Sequence, residues 1–229
     1  RFVSHRMLVG WDEMGVSILE KLHSRLVAGE ELVVLTGGDA EAIRRQVIGR
    51  FGEEAHRIFV FHGELTEETL SEFYLHDAAE VVVLGDMLPE GGSTRNVQLV
   101  QTIRRLVDGK RTTPLPCSVN LPSLEVYDTF QEFYFPPEFR RCLSLYPFNF
   151  FSGWAREVWN EFPLLNHERK FFPFPALADL DPVRRGSLHL VIVGFGAMGR
   201  AVTAQAAQVL HLAARHPLRI SVIDPQAGA

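Results

Sequence analysis

The sequence predicts an α/β protein built on a doubly wound parallel sheet. Three observations carry this. Strand-like and helix-like patterns alternate through residues 1–121, as they do when crossover helices link parallel strands. The strand cores Val33-Val34-Leu35, Phe59-Val60-Phe61 and Val81-Val82-Val83 carry no charge, which suits burial on both faces. The stretch VIVGFGAMGRA at 191–201 sets three glycines at a strand-to-helix turn.

The elements follow in order. RMLVGW (6–11) reads as the first strand, and a helix follows with Met14, Ile18, Leu19, Leu22 and Leu26 on one stripe. ELVVLTGG (31–38) reads as a buried strand ending in glycines, and Asp39 is placed to cap the helix AEAIRRQVIGRF. RIFVFHG (57–63) is a third strand, and Thr66 is the N-cap of a short helix. AEVVVLGD (79–86) is a fourth. After a turn-rich loop, Ser93 is placed to cap a helix with a basic last turn and Gly109 at its stop. PLPCSVNL (114–121) is a weaker fifth strand, since proline is poorly placed in a ladder.

Residues 122–186 differ. Of the 24 aromatic residues in the chain, 16 fall between Tyr127 and Phe174. This segment reads as an aromatic-rich helical connector, with helical pieces at 123–134 and 150–162. Two roles suit it: a docking segment between flanking domains, or an oligomer interface, since aromatics are enriched at interface cores. From residue 187 the alternation restarts as strand, helix, strand. Two strands and a helix cannot bury a core alone, so 187–229 reads as the opening of a second unit. The expected organisation is therefore 1–121, 122–186 and 187–229.

The chain has 229 residues, with 46% hydrophobic and 22% charged. These are ordinary values for a globular protein. A net charge of −5 speaks against general affinity for nucleic acid or anionic membranes. No apolar run approaches the ~20 residues of a membrane helix. Cys117 and Cys142 read as packed thiols. The N-terminus carries neither an initiator Met nor a leader pattern. The expected location is the cytoplasm, either as a fragment of a larger soluble protein or as the soluble part of a membrane protein.

The glycines of the second unit fit a Rossmann-type turn. Gly194 permits the tight turn, Gly196 lets the backbone approach a pyrophosphate, and Gly199 lets the helix lie close to its strand. With Phe195, Ala197 and Met198 they form a cradle of main-chain amides at a helix N-terminus. Asp224 closes the next strand and is placed to accept hydrogen bonds from a ribose diol. No Arg follows Asp224 in the sequence, which favours NAD(H) over NADP(H).

The first unit keeps the frame with one change. Gly10 and Gly15 hold the outer positions, but Asp12 stands where the middle glycine would be. A carboxylate ~4 Å from a phosphate costs roughly 4 kcal/mol at an effective dielectric near 20. Asp12 thus reads as a cap of the first helix, as a ligand to a cation of unknown identity, or as the mark of a nucleoside without phosphates. Asp39 reads as a helix N-cap or as a ribose acceptor.

RMLVGWDEMGVSILEKL, IFVFHGELTEETL, DAAEVVVLGD and STRNVQLVQTIRRL, followed by VIVGFGAMGRA and ISVID, together resemble the TrkA-N/RCK family. Its members are NAD-binding regulatory modules of potassium channels and transporters, and Gly10-Trp11 is closest to the Castor/Pollux-like branch. The resemblance covers about residues 6–120 and 187–226. It implies a cytoplasmic module that senses a nucleotide effector, works with an ion-transport membrane subunit or segment, and forms a homo-oligomer. Asp12 and the lack of an acid directly after Val33-Val34-Leu35-Thr36 depart from the family pattern in the first unit.

Other chemistry finds little support. The nine histidines form no HExxH set, and no Cys–His group has zinc spacing. No catalytic residues are expected. Two further functions compete with the sensor: an NAD-dependent oxidoreductase whose catalytic residues lie beyond residue 229, and a scaffold or dimerisation module with vestigial sites. The oxidoreductase needs an acid or base beside the nicotinamide, and these residues offer no substrate domain to supply one.

Overall fold

A computed structural model describes residues 5–86, 92–123, 126–127, 141–161, 188–213 and 218–225. The chain divides into two compact units, Arg1–Phe148 and Asn149–Ala229. Each is described by itself.

In the first unit six strands form one sheet in the order β3-β2-β1-β4-β5-β6. They are β1 (His5–Val9), β2 (Glu31–Thr36), β3 (Ile58–His62), β4 (Glu80–Val83), β5 (Leu115–Asn120) and β6 (Leu143–Phe148). Every pairing is parallel. The helices are α1 (Gly15–His23), α2 (Ala40–Phe51), α3 (Glu67–Glu72) and α4 (Gly92–Val107). The α/β class with a parallel, Rossmann-like sheet is therefore the observed fold.

The uncharged strand cores do what their composition demands. Alternate residues face opposite sides of the sheet. Met7, Val9, Val33, Leu35, Val81 and Val83 join one core with Leu70 of α3 and Leu99 and Ile103 of α4. Leu8, Leu32, Val34 and Val82 join a second with Leu19 and Leu22 of α1 and Ile43 and Val47 of α2. Each such side chain, fully buried, stabilises the fold by about 1.5–3 kcal/mol before entropy is counted.

Local capping agrees with the sequence. Asp39 accepts the Glu41 and Ala42 N–H groups at the start of α2. Thr66 accepts from the Thr69 N–H at the start of α3. Ser93 departs from its expected role as a cap: it lies inside α4, which begins at Gly92, and its hydroxyl accepts the Ser123 N–H at 3.0 Å.

Strand β6 is a finding that the sequence does not announce. It lies inside the segment that reads as a helical connector, yet it pairs along its whole length with β5. Pro147 is tolerated because β6 has no neighbour on its far side among the described residues. Pro116 in β5 is tolerated because the β4 ladder begins one residue later, at Cys117. The expected helical piece at 123–134 falls almost wholly outside the described residues.

The second unit contains α5 (Phe150–Glu161), β7 (Leu188–Val193), α6 (Ala197–Ala213) and β8 (Leu218–Ile223). β7 and β8 pair in parallel, with α6 as the crossover between them. Asn149 accepts the Ser152 N–H and begins α5. Trp159 of α5 donates its indole N–H to the Val202 carbonyl of α6 at 3.4 Å. Ile192, Ala201 and Ala206 are buried. The opposite face of the pair is wet: Val193 is 80% exposed, and Val191 and Ile223 are exposed beside it. No described helix is long and apolar enough to cross a membrane.

Candidate functional site

Two glycine turns organise the chemistry, one in each unit. In the second, three glycines have three different surroundings. Gly194 has φ +90°, a conformation that side-chain-bearing residues rarely adopt. A β-carbon on Gly199 would lie 2.1 Å from the Gly194 carbonyl oxygen, so only glycine lets α6 sit this close to β7. A β-carbon on Gly196 would meet no atom within 4 Å. The fold itself therefore accounts for Gly194 and Gly199 but not for Gly196.

Ala197 and Met198 open α6, so their N–H groups belong to its unsatisfied first turn. The Phe195 N–H donates to Asp224 Oδ2 at 2.5 Å. That bond brings the carboxylate beyond β8 against the turn beyond β7. The seven residues Gly194 to Gly199 and Asp224 thus meet at one end of the parallel pair, where open α/β sheets place ligands. An anionic diphosphate fits this arrangement: it would use the open space at Gly196, the first-turn amides of α6 and their positive dipole. Asp224 would hold the adjoining sugar.

The first unit is built differently at the same place. Gly10 has φ +86°, and a β-carbon there would lie 2.3 Å from the Gly85 carbonyl carbon. A β-carbon on Gly85 would in turn lie 2.2 Å from Asn96 Oδ1. Asn96 is buried and donates from Nδ2 to the Leu84 and Asn120 carbonyls, both at 2.8 Å. Glycine against glycine against asparagine fixes the point where β4 ends. It also fixes Asp86, the next residue.

Asp86 sits between strand ends. Its Oδ1 accepts the Thr36 hydroxyl at 2.9 Å and the Trp11 N–H at 3.3 Å, and its Oδ2 accepts the Gly37 N–H at 3.2 Å. The carboxylate spans from β4 across β1 to β2. This is where the strand order reverses, with β1 and β4 adjacent, and where such sheets bind ligands. A cleft of about 730 Å³ opens there, lined by Trp11, Asp39, Glu64, Thr66, Asp86 and Arg95, with Ile43 and Leu65 among the apolar neighbours.

The remaining first-unit residues have definite places. Asp12 Oδ1 accepts the Met14 N–H at 2.9 Å and holds the turn that leads into α1. Burial raises its pKa, and the Met14 N–H works against that shift. Gly15 lies under the indole of Trp11, whose ring atoms would be 2.6 Å from an added β-carbon. Asp39 lines the cleft, but one of its oxygens is committed to the N-terminus of α2. Among the described residues no three His, Cys, Asp or Glu side chains are grouped to hold a metal ion.

Sequence reasoning singled out Gly10, Asp12, Gly15 and Asp39 here and missed Asp86, Thr36, Gly37 and Trp11. The signal for Asp86 was present: a Gly-Asp pair closing the fourth strand. Its partner on β2, Thr36, lies fifty residues away in sequence, and only the strand order brings them together.

No family model matches this chain, and no curated protein matches it.

Proposed function

We propose that this chain is a regulatory module of an ion-transport system that senses NAD(H) at the glycine turn of its second unit. One observation carries the ligand: the empty space at Gly196, beside a carboxylate and above an open helix N-terminus. A glycine that neither the backbone conformation nor the packing requires is what the close approach of a pyrophosphate calls for. NAD(H) rather than its 2′-phosphorylated form suits Asp224, since a phosphate on the ribose would face that carboxylate. The regulatory role in potassium or other ion transport rests on the TrkA-N/RCK resemblance. In such a role the effector must bind two states of the module unequally, because equal binding shifts nothing.

Titration calorimetry with NAD and NADH on the intact protein tests the ligand. We expect saturable binding that Gly196→Val abolishes while the melting temperature holds. Equal binding by both proteins would remove the site. Co-purification of the intact protein with an ion-transport membrane subunit, or the presence of one in the same polypeptide, tests the role.

A further inference from the structure

We propose that the cleft at the ends of β1 to β4 is a second ligand site, for a nucleoside without phosphates, with Asp86 as the group that grips the ribose diol. This inference concerns the first unit and stands independently of the dinucleotide reading of the second.

Both turns share one contact. In each, the amide that follows the first glycine donates to a carboxylate: Phe195 to Asp224 at 2.5 Å, and Trp11 to Asp86 at 3.3 Å. In the second unit the carboxylate follows β8, the strand paired with β7. In the first unit the equivalent strand is β2, which is followed by Gly37-Gly38 with no acid directly after it, and the next acid, Asp39, caps α2. Asp86 arrives from β4 on the other flank of β1 and accepts from Thr36 and Gly37 at the end of β2. Gly37 makes room for it, since a β-carbon there would lie 2.9 Å from Asp86 Oδ2. The carboxylate thus stands beside the turn in both units, supplied by different strands.

Asp86 also has capacity left. A carboxylate offers about four acceptor positions, and the described residues use three. The cleft of about 730 Å³ is of ordinary small-molecule size. Trp11, Ile43 and Leu65 supply apolar surface for a base, with Gln46 and Thr66 as polar neighbours.

Phosphates are refused for separate reasons. Asp12 occupies the middle-glycine position and already takes the Met14 N–H. The Trp11 indole lies over Gly15, on the path a phosphate would follow to the helix. Asp39 and Glu64 outnumber Arg95 in the lining, and a carboxylate ~4 Å from a phosphate charge costs roughly 4 kcal/mol at an effective dielectric near 20. A sugar and a base meet none of these obstacles.

Calorimetry on the intact protein carrying Gly196→Ala, to silence the second turn, provides the test. Adenosine should bind, and AMP, ADP and 2′,3′-dideoxyadenosine should each bind about tenfold or more weakly, the scale of one lost or opposed polar contact. Asp86→Asn should weaken adenosine similarly. The dideoxy ligand asks the same question of the unaltered cleft should that variant fail to fold. No adenosine binding, equal binding of the dideoxy compound, or AMP and ADP binding as tightly as adenosine would each overturn the proposal.

Discussion

Gly199 and Gly194 touch so closely that a β-carbon on the former would sit 2.1 Å from the carbonyl oxygen of the latter. Gly196, between them, borders open space. The two positions should therefore answer the same substitution in opposite ways. Gly199→Ala forces α6 away from β7 and should lower the stability of the second unit by about 1–3 kcal/mol, the usual range for overpacking. Gly196→Ala should leave thermal unfolding unchanged and impair only ligand binding. Melting curves with and without NAD separate the two.

Asn96 joins the ends of β4 and β5 through two buried donor bonds, to the Leu84 and Asn120 carbonyls. Asn96→Ala leaves those acceptors without this partner, and we expect a loss of about 2 kcal/mol or more in denaturant unfolding. Because the same side chain backs Gly85, any activity of the cleft should fall with it.

His5 is fully buried, and burial lowers its pKa from 6.5, with the charge on Asp77 opposing the shift. The unfolded chain therefore takes up this proton more readily than the folded one. His5 contributes full stability above about pH 6.5 and progressively less as pH falls toward its folded pKa. Urea unfolding at about pH 7.5 and about pH 5.5 should show the decline. His5→Gln should flatten it, and an unchanged slope would assign the effect to other groups.

Asp12 combines a raised pKa with a structural bond. Asp12→Asn keeps an acceptor for the Met14 N–H and removes the cost of a desolvated charge, so stability at neutral pH should hold or rise. Asp12→Ala removes the acceptor and should cost about 1 kcal/mol, as loss of a helix-start cap does. Chemical denaturation of both variants checks the contrast.

Much of the first unit was legible because its strands are buried on both faces. Val33-Val34-Leu35 and Val81-Val82-Val83 cannot lie anywhere else in a protein of this class, and Asp39 and Thr66 mark their helices by capping chemistry that is local. β6 was not legible. Its Leu143-Ser144-Leu145-Tyr146-Pro147-Phe148 sequence carries a proline, and only its place at the end of the strand order makes that harmless. The glycine turn of the second unit could be read residue by residue, since each glycine's surroundings depend on near neighbours. The first cleft could not, because Asp86, Trp11 and Thr36 lie at or just past the ends of three strands whose adjacency is a property of the topology.

The exposed residues of β7 and β8 stand close to the turn above them. Val193 leads directly into Gly194, and the Gly194 N–H is held by the Ile223 carbonyl at 2.8 Å. Val193 and Ile223 are the very residues left in water. A surface laid over them would therefore lie one residue from the amide cradle.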